Sequence, residues 1–455
     1  MQTRRPVAVD IFAGAGGLAE GFLAAGIDVA VAVEHHPHAA LTNAFNHSDC
    51  SVICGDIAKL DSGVIRAEVR KRTGKSRVDI VAGGPPCQGF SSAGKQDDND
   101  PRNQLIHEFV RVVDELSPTC FVFENVPAIT EASDGKVIQR MLDDFWNMGF
   151  KIFGVDNNSD YYPCSYPVID SSWFGVPQAR KRLILVGWKK GLDCFNWLDD
   201  SMSIPTSRRA KEVNIYDAIS DLDFLASGFE CHSYQKPPTS NYQMKRRSNS
   251  AILLNHLASD HRKETIQMFR RYQPGQTVSS IPVEFRTGKQ RVRRFSKLEL
   301  SPAVLALPDD FIHYSQNRIP TVRELARLQS FDDDFVFLGK RTTSDQNRRF
   351  DVPQYTQVGN AVPPLLARSL GRAILRAIGI STIDQRNRNA RRSRIGYLNG
   401  SSAYSGYGIM PEVIKSLDLL DIHGNKLSVD GNDAPSELNE IHGPVHWSGR
   451  SSSAA

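Results

Sequence analysis

Over residues 1–190, short unbroken apolar runs alternate with stretches in which apolar residues recur every three or four positions. Val7-Ala8-Val9-Asp10-Ile11-Phe12 is one such run; Val29–Val33, Val78–Ala82, Cys120–Phe123 and Leu183–Val186 are others. Runs of this length and β-branched content predict buried strands. Leu18–Ala25, Asn103–Glu115 and Lys136–Met148 carry the spacing of amphipathic helices. Strands alternating with helices predict an α/β fold built on a mostly parallel sheet covered on both faces. The rhythm is lost over residues 191–319, where polar residues, prolines and basic clusters dominate, so a smaller loop-rich domain is expected there. It returns at Thr321, an N-cap candidate ahead of Val322–Gln329, and again over Leu365–Ile378. Residues 320–380 are therefore expected to rejoin the domain formed by residues 1–190. Residues 381–455 are rich in Asn, Ser, Gly and Arg, and a mobile C-terminal extension is expected.

The chain has 455 residues, enough for two or three domains. No apolar run approaches the roughly 18 residues that span a bilayer. Met1–Pro6 leads into a strand pattern and not into the apolar core of a signal peptide. A cytoplasmic protein with no membrane partner is expected. Seven cysteines, an odd number with no C-x-x-C pair, argue against a disulfide framework and against a ribbon-type metal site, so no metal is expected. The net charge of +4 says little until it is divided: residues 241–300 hold 13 Lys/Arg against 4 Asp/Glu, a local excess of +9. Charge concentrated in one stretch suits a protein that grips a polyanion there, although a solvated basic face would look the same.

Candidate chemistry collects at the ends of the predicted strands, where open α/β sheets hold ligands. After the first strand, Gly14, Gly16 and Gly17 form a turn that lets backbone approach a ligand closely. No Lys-Ser/Thr pair follows, so it is not a phosphate-gripping P-loop. Glu34 ends the second strand, where a carboxylate can accept hydrogen bonds from ribose hydroxyls. Asp56 follows a third strand, where it can meet an adenine amino group. Cys87 follows Pro85-Pro86 just after Val78–Ala82 and is a candidate nucleophile, although a free cysteine is often only a small buried hydrophobe. Glu124 closes the strand Cys120–Phe123, either as a cap or as a tuned acid.

Read together and in order, these segments resemble the cytosine carbon-5 DNA methyltransferase family over residues 7 to 380. Asp10–Gly17 is similar to the family's first motif, Pro85-Pro86-Cys87-Gln88 to its nucleophile motif, Glu124-Asn125-Val126 to its acid motif and Gln178-Ala179-Arg180-Lys181-Arg182 to its Gln-x-Arg-x-Arg motif. Arg323–Gln329 resembles the helix that follows the recognition domain, and Gly359-Asn360-Ala361-Val362-Pro363-Pro364 the last motif. The resemblance implies a Rossmann-like methyltransferase domain dependent on S-adenosyl-L-methionine, with S-adenosyl-L-homocysteine as product, beside a target-recognition domain. It implies that Cys87 attacks carbon 6 of a flipped-out cytosine, that Glu124 engages ring nitrogen 3, that Arg182 holds the carbonyl oxygen on carbon 2 and that Arg180 supports the pocket. It implies a cofactor site of Phe12, Ala13, Gly14, Gly16, Gly17, Leu18, Glu34, Asp56, Ile57, Pro85, Leu105, Asn360 and Ala361. Ser301-Pro302-Ala303-Val304 is a loose version of a common pre-helix segment, and two further features depart from the pattern. Asp332, in Phe331-Asp332-Asp333-Asp334-Phe335, stands where the family commonly has proline, and the chain beyond residue 383 has no family counterpart.

The partner implied is double-stranded DNA, bound by a monomer, with a restriction endonuclease acting separately or none at all. DNA contacts are expected at Gln88, Ser91, Gln178, Arg286, Arg291, Arg293 and Arg294, and the run Lys245-Arg246-Arg247 is a further phosphate candidate. For His256 and His261 a structural role is expected before a catalytic one. Three rivals stand beside this reading. Family members acting on transfer RNA carry a Cys-Phe-Thr signature, which is missing here. A silent DNA-binding regulator would not need Cys87, Glu124 and Arg182 together. A nicotinamide-dependent dehydrogenase would leave Pro85–Gln88 unexplained.

Overall fold

A computed structural model describes residues 5–86, 104–153, 167–189, 212–283, 286, 292–342, 352–380, 383–398 and 416–427. The first half builds a sheet from β1 (Val7–Ile11), β2 (Asp28–Glu34), β3 (Ser51–Cys54), β4 (Ile80–Gly83), β5 (Cys120–Asn125), β6 (Phe150–Ile152), β7 (Val168–Asp170) and β9 (Lys181–Lys189), after the short β8 (Gln178–Ala179). Its helices are α1 (Gly17–Ala25), α2 (Pro37–Asn46), α3 (Ser62–Thr73), α4 (Gln104–Leu116) and α5 (Lys136–Asn147). The second half contributes α6 (Ile215–Ile219), α7 (Asn241–Arg247), α8 (Lys263–Phe269), β10 (Arg293–Arg294), β11 (Ser301–Pro302), β12 (Phe311–Ile312), α9 (Val322–Leu328), α10 (Gln354–Asn360), α11 (Pro364–Ala377), α12 (Arg388–Leu398) and β13 (Leu419–Leu420).

The strand order is β13-β3-β2-β1-β4-β5-β9-β6, with β7 also on β9. The strands from β13 to β5 are parallel, and β9 runs antiparallel to β5, β6 and β7. The mostly parallel sheet is thus as expected, with an antiparallel extension at one side. Side chains alternate along each strand, so one strand feeds two cores. Val7, Val9 and Ile11 of β1 pack with α3, α4 and α5, whereas Ala8 packs with α1, α2 and α11. Burial on both faces explains why the strands read as unbroken apolar runs.

The region between β9 and α9 is held differently. Its strands are two residues long, yet one apolar cluster runs from Ile215 and Phe269 through Phe295 and Ile312 to Leu325, Tyr355 and Ala361. Packing therefore does not divide at residues 319/320; α9 and α10 form the base on which the recognition region sits. Thr321 caps α9 as expected: its hydroxyl accepts from the Glu324 N–H, and the Glu324 carboxylate accepts from the Thr321 N–H, which is a reciprocal capping box.

The expectation of a mobile extension fails for residues 383–398 and 416–427. Helix α12 docks beside α2, and β13 adds a parallel edge strand to β3, pairing Leu419 with Val52 and Leu420 with Ile53. Leu417, Leu419 and Leu427 are buried there. Arginine-to-carboxylate pairs bind α12, and composition statistics have no means of revealing their partners.

Candidate active site

The carboxyl ends of β1, β2, β4 and β5 lie side by side at one edge of the sheet. At β1 the chain leaves the strand through Phe12, whose φ of 56° is unusual for a residue with a side chain. Gly14 and Gly16 follow, also left-handed, at φ 56° and 93°. A Cβ on Gly16 would lie 2.5 Å from the His47 ring, so this turn needs glycine for room as well as for conformation. Glu34, at the end of β2, fixes the turn from above: one carboxylate oxygen accepts from the Gly14 N–H at 2.7 Å and the other from the His36 N–H at 2.8 Å.

Of the expected cofactor residues, Ala13, Gly16, Gly17, Leu18, Glu34, Ile57, Pro85 and Ala361 are buried, and Phe12, Gly14 and Asp56 are partly buried. Phe12 and Leu105 pack against the same apolar cluster on the α3–α4 side. Asp56 caps the turn Ile57–Lys59 by accepting from the Ala58 N–H. Asn360 ends α10 with its side chain exposed, and the following Val362 carbonyl lies directly over Gly17. The structure therefore gathers three separate stretches of chain, 12–18, 34 to 57 and 360–362, around one turn.

Asp10 was missed in the sequence. It is buried in β1, and its Oδ2 has no hydrogen-bond partner among the described residues. Burial, and then the nearby Glu34 charge, hold its carboxyl well above the usual range, and burial raises Glu34 as well. A carboxylate interrupting an apolar strand just before a glycine turn was the available signal. The glycine turn, with the Glu34 carboxylate beside it and the unpartnered Asp10 oxygen behind it, fits a nucleoside ligand, whose hydroxyl groups donate to carboxylates.

At the ends of β4 and β5 a second cluster forms. Glu124 pairs with Arg182, Nε to Oε1 2.9 Å, and the two side chains are only 12% and 15% exposed. The pairing follows from the antiparallel register, which sets Glu124 opposite Ile184 and Asn125 opposite Leu183, so Arg182 projects beside the acid. A Cβ on Gly84 would sit 2.6 Å from the other Glu124 oxygen, so the carboxylate lies against the backbone that leads into Pro85-Pro86. Asn125 completes the junction by donating to the Pro85 carbonyl at 3.1 Å. Cys87, Gln88 and Ser91 lie outside the described residues. Cys50, Cys54 and Cys120 are described and buried, and burial pushes each thiol well above its ordinary value, which disfavours the nucleophilic thiolate.

Arg180 is buried and donates to the carbonyls of Val304 and Gly359, 2.9 Å each. It ties β8 to the recognition region and to the last motif, beside the Glu124–Arg182 pair. The DNA expectations need correction. Gln178 is fully buried, donating to the Leu328 carbonyl and to Gln329 and accepting from the Val304 N–H. Arg294 is 4% exposed, and its guanidinium serves the carbonyls of Phe269, His313 and Gln316 and the Asn317 side chain. Arg246 pairs with Asp332, and Arg247 with Asp221 while stacking on Tyr234. Gln178 and Arg294 are thus buried, and the polar ends of Arg246 and Arg247 are engaged within the protein. Arg293, paired with Glu299, and Arg286 stay at the surface; Arg291 is outside the described residues. His256 is buried against Thr321 and held neutral, lowered to about 4 by burial, in keeping with a structural role. Among the described residues no group of side chains is arranged to hold a metal ion, and no helix is long and apolar enough to cross a membrane.

Known proteins give the same picture. The family profile described as C-5 cytosine-specific DNA methylase matches residues 7–376. The Type II methyltransferase M.DdeI of Desulfomicrobium norvegicum is 35% identical over 387 residues, covering 80% of this chain and 88% of that protein. The Type II methyltransferase M1.HphI of Haemophilus parahaemolyticus is 33% identical, covering 81% and 86%. Among solved structures, a DNA modification methyltransferase encoded within an E. coli prophage superposes with a TM-score of 0.64 at 24% identity, covering 82% of this chain and 99% of that one. At that identity the likeness speaks for the fold.

Proposed function

The chain belongs to the C-5 cytosine-specific DNA methylase family, and from that premise we propose how its residues divide the work of methylating cytosine at carbon 5. The observation that carries the proposal is the Glu124–Arg182 pair, set against Gly84 at the mouth of the Pro85-Pro86-Cys87 segment. Cytosine must leave the stack to reach such a site, since a buried carboxylate cannot enter a duplex. Cys87 attacks carbon 6 as the thiolate, forming a carbon–sulfur bond. Glu124 engages ring nitrogen 3, drawing electrons away from carbon 6 as the thiolate adds, and Arg182 holds both Glu124 and the carbonyl oxygen on carbon 2. Carbon 5 becomes nucleophilic as a result. Once carbon 5 has taken the methyl group that S-adenosyl-L-methionine would supply, with S-adenosyl-L-homocysteine as the leaving product, loss of the carbon-5 proton breaks the carbon–sulfur bond, expels Cys87 and restores the aromatic ring.

Family members use S-adenosyl-L-methionine. Bound on the glycine turn, it supplies an electrophilic methyl group on a positively charged sulfur. Glu34 and Asp56 are placed for its ribose and adenine, Phe12, Ile57 and Leu105 for apolar contact, and Gly14–Leu18 with Asn360 and Ala361 for the remainder. The left-handed glycine turn and the Glu34 carboxylate at the end of β2 support this assignment. Duplex DNA is the substrate we assign, with Arg286, Arg291 and Arg293 on phosphates. We assign it to a restriction-modification system, by likeness to the Type II relatives, and propose that it acts as a cytoplasmic monomer.

The test is bisulfite sequencing of plasmid DNA from cells expressing the chain in a host without cytosine methylation. Protected cytosines in one short recurring context are expected. Complete conversion, with soluble protein confirmed, would contradict the proposal.

A further inference from the structure

Two of the departures from the family pattern, Asp332 and the chain beyond residue 383, turn out to touch each other. Arg386 donates to Asp332 at 2.8 Å and to Glu20 at 3.0 Å. Arg388 pairs with Asp332 at 2.8 Å and Asp334 at 3.0 Å. Arg391 pairs with Glu20 at 2.6 Å and Asp334 at 3.2 Å. Three arginines of the C-terminal segment thus neutralise three buried carboxylates of the methyltransferase domain, and the family profile ends at residue 376, before any of the arginines.

Glu20 leads directly to the glycine turn. Its N–H donates to the Gly16 carbonyl at 2.8 Å. Its carboxylate meets His47 Nε2 at 3.2 Å, His47 Nδ1 meets the Asn43 side-chain Oδ1 at 2.8 Å, and Asn43 Nδ2 donates to the Gly14 carbonyl at 3.4 Å. The same His47 ring fills the space beneath Gly16. A second contact reaches the other side of the cradle. Ile422, just after β13, lies 2.2 Å from where a Cβ of Gly55 would stand, beside Asp56, and Arg72 pairs with Asp418 to hold β13 in place. The C-terminal segment therefore backs both turns that we assign to the cofactor, through two unrelated sets of contacts.

We propose that this segment is a positioning element for S-adenosyl-L-methionine, with Arg391 acting through Glu20 and His47 on the Gly14–Gly17 turn. The proposal rests on the assignment of that turn as the cofactor cradle. Without Arg391, Glu20 would be a buried carboxylate with too little compensating charge, and the side chains that set the turn would rearrange.

Calorimetric titration of the full chain with S-adenosyl-L-homocysteine tests it. Arg391→Gln is expected to weaken binding roughly tenfold, while kcat at saturating cofactor and KM for DNA stay within about twofold. Arg391→Lys, which keeps the charge, should recover most of the loss. Arg388→Gln, which removes contacts to Asp332 and Asp334 but none to Glu20, should bind within about twofold of the unaltered chain. Should Arg391→Gln fail to fold, Glu20→Gln decides, with the same weakening expected. Unchanged binding in Arg391→Gln or in Glu20→Gln overturns the proposal. So does equal weakening in Arg388→Gln, which would make the segment a general support. An unaltered chain that takes up no S-adenosyl-L-homocysteine would instead overturn the cofactor assignment itself, and this proposal with it.

Discussion

Arg182, at the sheet edge, keeps 15% of its side chain exposed and meets one carboxylate beside the proposed cytosine pocket. Arg294, in the recognition region, is 4% exposed and satisfies three backbone carbonyls and an amide. Arg318, Arg323 and Arg327 are likewise fully buried; Arg318 grips Glu324, Arg323 the carbonyls of Leu254, Asp332 and Phe335, and Arg327 both Asp221 and Asp333. The difference lies in how each region satisfies its backbone. In the sheet, strand ladders pair the peptide groups, so charged side chains are left to the strand ends, where chemistry can use them. Where strands are two residues long, many carbonyls lack a ladder partner, and a guanidinium with five donors can serve several at once. Arg294 and Arg318, with Arg323 and Arg327 on the helix beneath, are thus internal scaffold, whereas Arg262, Lys263, Arg270, Arg271 and Arg286 stay exposed at the surface.

The largest effect that would sharpen this contrast lies at the sheet edge. Glu124→Gln should reduce kcat/KM about 10²–10⁴-fold with Tm nearly unchanged, measured by tritiated methyl transfer, because it removes a proton-handling group but keeps the packing. In the other region the expectation reverses. Arg327→Met leaves Asp221 and Asp333 buried without their main partner and should destabilise the fold by about 3–5 kcal/mol, read by urea unfolding. Preserved stability there would break the comparison.

Acid sensitivity should come from the scaffold as well. His313 is fully buried; its Nδ1 accepts from the N–H groups of Ser315 and Gln316, and burial lowers it from 6.5 to about 3. The native state keeps it neutral, while the unfolded chain binds a proton below 6.5. Stability is therefore full above pH 6.5 and is lost as pH falls toward 3, by up to about 1.4 kcal/mol per pH unit. Glu324, lowered to about 2 against burial by Arg318, acts in the same direction at lower pH: its contribution is present above 4.5 and lost as pH falls through about 2. His313→Asn should flatten the dependence between pH 6.5 and 5, measured by unfolding free energies at the two values. A smaller effect is expected from Arg286→Ala. That residue stays at the surface, so Tm should hold, while DNA binding weakens and the salt slope falls by about one.

The sequence made the sheet legible because burial on both faces forces apolar runs, and because glycine turns and isolated acids follow those runs directly. Glu34 and Glu124 were visible for that reason, Arg182 only through the resemblance of Gln178–Arg182 to the family motif, and the Thr321 cap through its reciprocal Glu324. The partners of Arg180 and Gln178 were not legible, since Val304, Leu328 and Gly359 lie far along the chain and only tertiary packing brings them near. The docked C-terminal segment was illegible for the same cause: Asp332 and Arg386 are each an ordinary surface charge until the fold pairs them. Asp10 gave a signal, a carboxylate within an apolar strand, that was available and went unused.

The central claim is that the edge holding Glu124 and Arg182 is a cytosine pocket whose nucleophile is Cys87. A duplex carrying 5-fluorocytosine at the methylated position tests it most directly, because fluorine on carbon 5 cannot depart as a proton and the elimination that frees the cysteine is blocked. Incubated with S-adenosyl-L-methionine, digested and weighed by mass spectrometry, the protein should yield a nucleotide adduct on the peptide containing Cys87 and on no other. An adduct on a different cysteine, or normal methylation of unmodified DNA by Cys87→Ser, would contradict the account.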